Sequence, residues 1–256
     1  MKQTIKKLLI KILHPLILKL GYKPKRELRV MSIRDSLLKN FYLNLIKIDY
    51  FPKHIVDIGA NVGGWTKEAL KYFPEAYYTM FEPQMEMKKS VQDLLDENSK
   101  VSFNALGVGS SDDTLKFTIH DRDDSCSFKY SEEEAKERGF EQIEVDVVTL
   151  NKFFKNKPLP VPDIIKIDAE GYDIEVLKGA SDFFGKTEIF MVEVAVMCDS
   201  YENSPDKVIN FMAERGYKLA EMTDAIRPFE FKMLWLLELV FIKENGLVNQ
   251  RFLEKV

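Results

Sequence analysis

Residues His54–Thr66, HIVDIGANVGGWT, constrain this chain more than any other stretch. Ile55, Val56 and Ile58 flank Asp57 in a short β-prone run, which breaks into Gly59, Ala60, Asn61, Val62, Gly63 and Gly64. Trp65–Phe73 then has helical composition. A strand, a glycine-rich turn and a helix in that order bring backbone close to a ligand at the carboxyl edge of a parallel sheet. Glycine supplies the unusual dihedral angles and leaves room where a Cβ would block the ligand. The turn reads Gly-x-Asn-x-Gly-Gly, with Asn61 where a dinucleotide fingerprint has its second glycine. Asp57 stands inside the crevice, where it repels a pyrophosphate and suits a cationic amino-acid group. Tyr77–Phe81 (YYTMF) reads as the next strand, ending at Glu82 and Pro83, and an acid there accepts both hydroxyls of a ribose. A nucleoside with an amino-acid end and no phosphate, S-adenosylmethionine, fits the set Asp57, Gly59, Asn61, Gly63, Glu82 and Pro83. Glu82 alone suits a nicotinamide dinucleotide equally well, so Asp57 and Asn61 make the choice.

The rest of the chain fits one α/β domain with appendages. At 256 residues, with 45% hydrophobic and 30% charged positions, it has enough apolar content for a single core. Cys126 and Cys198 form no metal spacing and three histidines argue against zinc, so no metal is expected. Charge is uneven: the first 29 residues carry a net +8 and the remainder −12. An acidic body argues against a nucleic-acid substrate.

Residues 1–26 form a separate basic segment. Ile5, Leu8, Leu9, Ile12, Leu16, Ile17 and Leu20 recur at helical spacing among Lys2, Lys6, Lys7, Lys11 and Lys19. This reads as an interfacial helix on an anionic membrane, kinked at Pro15, or as a helix covering an apolar face of residues 27–256. It is too charged to span a bilayer, and it lacks the run and cleavage site of a signal peptide. The expected location is cytoplasmic, with peripheral contact at the inner membrane face. Ser32–Ile48 reads as a helix that covers either the ligand or the core.

Val101–Val108 reads as a third strand, whose end places Asn104, or the backbone of Ala105 and Leu106, near an adenine edge. Leu115–His120 and Ile143–Leu150 alternate as strands. They bound an insertion at about 112–146 that hangs over the carboxyl edge, where His120, Asp123, Asp124, Ser125 and Ser127 are candidate acceptor contacts. Asp163–Asp168 (DIIKID) is a strand with Lys166 inside it and Asp168 at its end; Glu170 and Gly171 follow, then a helix over Tyr172–Gly179. Asp168 and Glu170 could deprotonate a hydroxyl or hold a divalent cation, and Lys166 could pair inward with one of them. Glu188–Val196 is apolar except for Glu193, a buried acid that needs a partner. Tyr217–Met222 and Leu234–Lys243 read as the closing strands.

The segments VDIGANVGGWT, FEP, NALGVGSSDDTLKF and above all DIIKIDAEGYDIEVLKGA resemble the FkbM family of S-adenosylmethionine-dependent methyltransferases, from about His54 to about Val196. The resemblance implies a Rossmann-like seven-stranded sheet, mostly parallel with the last strand antiparallel and helices on both faces. It places adenine contacts near Asn104 and Ala105, and implies O-methylation of a hydroxyl on a sugar, glycan or related natural product. Asp168, Glu170 and His120 are the catalytic candidates, with Glu193 competing for the role of base. Two other classes stay open: an NAD(P)-dependent oxidoreductase, and a cofactor-binding partner protein without turnover. The acceptor's identity and the oligomeric state are not written in the sequence.

Overall fold

A computed structural model describes residues 33–120, 126–197, 203–227 and 233–255. The basic segment 1–26, the loop candidates Asp123, Asp124 and Ser125, and Cys198 lie outside the described residues. Strand β1 (His54–Ile58) is buried at all five positions and pairs in parallel with β2 (Tyr77–Phe81) on one side and β7 (Ile164–Ile167) on the other. Burial on both faces explains why these strands read as continuous apolar runs. β2 pairs with β3 (Val101–Asn104), and β7 with β8 (Ile189–Ala195). β10 (Leu236–Lys243) lies antiparallel between β8 and β9 (Tyr217–Ile226). The order is β3-β2-β1-β7-β8-β10-β9, the expected seven-stranded, mostly parallel sheet with its last strand inserted antiparallel. β9 runs four residues beyond its expected end at Met222, because Ile226 pairs with Leu236 at the far end of β10.

Two apolar layers hold this sheet. On one face Ile55, Ile164, Met191 and Val240 cluster with residues of helices Ile33–Lys47 and Gly64–Leu70. Tyr42 reaches Trp65 and Phe73 edge-on, at centroid distances of 6.0 and 5.4 Å. Leu38, Phe41, Tyr42 and Leu45 are all buried, so this helix serves the core. Each fully buried large side chain contributes roughly 1.5–3 kcal/mol relative to exposure. On the other face Ile58, Ile165, Phe190 and Phe241 pack with helices Asp173–Gly179 and Pro205–Ala213. His54 is also internal: its Nδ1 lies 2.7 Å from the Pro160 carbonyl and its Nε2 2.9 Å from Thr79 Oγ1. Burial holds the imidazole pKa below its usual value.

The expected third strand over Val101–Val108 divides in two. The Asn104 carbonyl accepts the N–H groups of Glu82 (3.1 Å) and Leu106 (2.9 Å), and that turn sends the chain out of the main sheet. Gly107–Val108 becomes β4 of a second sheet, ordered β4-β6-β5, with β5 (Asp113–Ile119) and β6 (Glu141–Val148) antiparallel to each other. Helix Glu132–Arg138 joins those two strands, its start fixed by a Ser131–Glu134 capping box and its end by Gly139 at φ 74°.

The strand order places the crevice. From β1 the chain moves outward to β2 and β3, then returns to β7 on the opposite side of β1 and continues to β8. Adjacent strand ends whose connections leave in opposite directions open a cleft between the carboxyl ends of β1 and β7.

Candidate active site

The turn after β1 is tied down from several sides. Gly59 and Ala60 both donate to the Phe81 carbonyl at 3.0 Å. Gly59, Asn61 and Gly63 take positive φ of 72°, 47° and 75°, and asparagine tolerates that region better than most side chains. Glu82, 4% exposed, accepts the Asn61 N–H at 2.8 Å and the Gln84 N–H at 3.0 Å. Burial pushes the Glu82 carboxyl up, while those backbone bonds and the Lys166 charge pull against it. The Gln84 side-chain amide adds a third, longer bond at 3.3 Å; a carboxylate has about four lone-pair positions, so a ribose diol takes the open one and displaces that amide.

The expectation that glycine leaves room for a ligand needs correcting at two positions. A Cβ on Gly59 would fall 1.8 Å from the Asp168 carbonyl oxygen, and one on Gly63 would fall 2.4 Å from Val91 Cγ1. Both are glycine because the protein packs against itself there. At Gly64 an added Cβ would meet nothing within 4 Å, so that backbone faces open space.

Asp57 lies beneath the turn. It is 1% exposed; its Oδ2 accepts from Thr66 Oγ1 at 2.6 Å and its Oδ1 is 3.3 Å from Lys166 Nζ. Of the two roles open to Asp57, holding the ligand or holding the loop, this geometry serves the loop. Thr66 completes the brace; a hydroxyl one turn into the helix after the glycines was the available signal for it.

The acids meet at the end of β7. Lys166, buried at 2% exposure, reaches Asp168 Oδ2 at 3.1 Å, Asp57 Oδ1 at 3.3 Å and the Gly59 carbonyl at 3.2 Å. It pairs with Asp168 as expected and with Asp57 in addition. One ammonium thus joins the β1 turn to the β7 end, compensating charges that would be costly to bury alone. Ile167 pairs with Val192, so Asp168 and Glu193 follow side by side, and Glu193 in turn faces Glu238 across β10. Asp168, Glu170 and Glu193 each bring a carboxylate oxygen within 4.8 Å of the others. Burial, then the charges of Asp168, Glu170 and Asp173, push the Glu193 carboxyl well above its usual range, against Lys166. Three carboxylates at that spacing can share a proton, and they also match the oxygen ligands of a hard divalent cation such as Mg²⁺.

His120 is not brought into this cluster. It sits at the end of β5 in an aromatic box, its ring 4.3 Å from Phe140 and 5.4 Å from Tyr130. Ser127 is buried and exchanges backbone hydrogen bonds with Thr118, an isolated bridge that ties it to β5. The Asn104 amide donates to the Met80 carbonyl at 3.0 Å and so ties β3 to β2, leaving half-buried Ala105 and Pro83 nearer the adenine role. A cleft of about 320 Å³ along β2 and β3, lined in part by Tyr77, Lys100 and Phe153, touches the candidate set only at Asn104.

Comparison with known proteins bears on the family and the fold. A methyltransferase FkbM domain model matches residues 57–219, well over half of the chain. The chain is 24% identical over 200 residues to Methyltransferase 1 of Beauveria bassiana, covering 72% of this chain and 79% of that protein. The solved structure of a methyltransferase FkbM from Methylobacillus flagellatus KT superposes with a TM-score of 0.50 at 16% identity, over 73% of this chain. This chain spans 43% of the length of that one, and the likeness at this identity is one of fold.

Proposed function

The chain belongs to the FkbM methyltransferase family, and on that premise we propose that it is an S-adenosylmethionine-dependent O-methyltransferase acting on a hydroxyl of a sugar, glycan or related natural product. One observation carries the reading: the Asp168 carbonyl occupies the space of a Gly59 Cβ, so the nucleoside turn and the acid cluster share one crevice. When bound, the donor supplies a methyl group on a positively charged sulfur. Glu82 holds the ribose hydroxyls, the Gly59–Gly64 turn holds the amino-acid end, and Pro83 and Ala105 border the adenine. Asp57, Thr66 and Lys166 keep that turn in shape. Displacement at the methyl carbon needs alignment above all, and a hydroxyl acceptor also needs its proton removed. As the carbon–oxygen bond forms and the carbon–sulfur bond breaks, the proton passes to the Asp168–Glu170–Glu193 cluster. The donor leaves as a neutral thioether.

The basic amphipathic run within residues 1–26 supports a membrane-proximal acceptor, such as a lipid-linked sugar. No helix among the described residues is long and apolar enough to cross a membrane. Deletion of residues 1–26 is expected to abolish partitioning onto anionic liposomes, and unchanged partitioning rejects this part of the proposal.

Calorimetric titration with S-adenosylhomocysteine tests the core of the reading. Micromolar affinity is expected in the intact protein and is lost in Glu82→Ala while the thermal transition persists. No heat with S-adenosylhomocysteine, together with a fluorescence response to NADH, replaces the reading with that of an oxidoreductase.

A further inference from the structure

Asp173 is the first residue of the helix Asp173–Gly179 and is completely buried, yet its oxygens face backward. Oδ1 accepts the N–H of Ala169 at 3.0 Å, and Oδ2 accepts the N–H of Gly171 at 3.1 Å. One carboxylate therefore grips the backbone on both sides of Glu170, whose φ of 50° is unusual for a residue with a Cβ. Such a conformation persists only where its surroundings over-determine it. Asp173 Oδ2 also accepts from Asn203 Nδ2 at 2.8 Å. The same Nδ2 donates to the backbone carbonyl of Glu193 at 3.3 Å, and the Asn203 carbonyl accepts the Ala195 N–H at 3.2 Å. Asn203 is 1% exposed. The links run without a break from the Asp168–Gly171 turn through Asp173 and Asn203 to the Glu193 backbone.

We propose that Asp173 and Asn203 are positioning residues for methyl transfer, a buried bracket that holds Asp168, Glu170 and Glu193 together as one preassembled centre. The inference rests on the reading of that cluster as the reacting centre. Three acids side by side repel one another; Lys166 draws on Asp168 through an ion pair, and the Asp173 carboxylate bonds the N–H groups on both sides of Glu170. A helix start needs no buried acid bonded to the preceding turn, and burying one is costly, so the arrangement serves the turn. The hydrogen bonds of Asp173 and Asn203 run to the Asp168–Gly171 turn and to β8, whereas the turn after β1 is held by Phe81, Glu82 and Lys166, so donor affinity is expected to survive loss of the bracket.

The test compares the full-length protein with Asn203→Ala and Asp173→Asn, which replaces an acceptor with an amide that competes with the facing N–H donors. S-adenosylhomocysteine affinity, read by calorimetry, is expected to stay within twofold of the wild type. Transfer from methyl-labelled S-adenosylmethionine into a pool of hydroxylated glycosides is expected to lose tenfold to a hundredfold in kcat at unchanged donor KM, the cost of a misplaced reacting group. Unchanged kcat, or a loss of donor affinity in step with kcat, overturns the bracket. Where the wild type itself transfers to none of the glycosides, the acceptor reading fails and amide exchange decides the inference. Exchange at Ala169 and Gly171 at least tenfold faster in Asn203→Ala, with Val56 and Ile165 unaffected, upholds it; no change rejects it.

Discussion

Gly59 and Gly64 stand five residues apart in one turn and are glycine for different reasons. Gly59→Ala meets both a positive φ and the Asp168 carbonyl, so a loss of about 2–5 kcal/mol is expected in urea denaturation. Gly64→Ala adds a methyl group to open space and is expected to leave stability within about 0.5 kcal/mol. If the donor lies over that backbone, the same substitution weakens S-adenosylhomocysteine binding, which separates ligand room from internal packing. Lys166→Met strands Asp57 and Asp168 without their shared cation and is expected to cost about 3–5 kcal/mol. Adding Asp57→Asn to it is expected to recover part of that loss, because the pair is coupled; strict additivity in a double-mutant cycle counts against the ion pair.

At the scale of elements, the carboxyl ends of β7 and β8 act together. Glu193 ionises late because it is buried beside the carboxylates of Asp168 and Glu170. Glu193→Gln removes that late-ionising group, so the acidic limb of the transfer rate against pH is expected to move to lower pH; a limb that stays in place excludes Glu193 from the pH dependence of the rate. The sequence disclosed these elements unequally. β1, its turn and β2 were legible because burial on both faces leaves apolar runs and the glycines mark the break between them. Lys166 was legible as inward-facing, since a lone lysine in an apolar strand needs a partner, but its reach to Asp57 depends on strand adjacency, which no local pattern encodes. The small sheet was half legible: β5 and β6 alternate, whereas β4 is two residues long and exists only through pairing with Val147 and Val148. His120 looked catalytic by type and position at a strand end, and only the fold brings Tyr130 and Phe140 around it.

For the whole molecule, stability and pH are linked through His54. Its folded pKa is depressed by burial, so its contribution is complete above the unfolded value of about 6.5 and is lost as pH falls below it. Asp173 acts oppositely, since burial pushes its carboxyl up to about 6 and protonation there relieves the folded state. The comparison that isolates His54 is therefore wild type against His54→Gln: the stability difference from denaturant midpoints is expected to shrink from pH 7 to pH 5, and a constant difference excludes the effect. The placement of β10 bears on how the protein is made. Ile189–Ala195 leaves a synthesising ribosome before its partner Leu236–Lys243 exists, so an almost wholly apolar strand edge waits unpaired while about a sixth of the chain is made. A chain released at residue 227 would keep that edge open for good, and is expected to sediment as aggregate where the complete chain stays in solution.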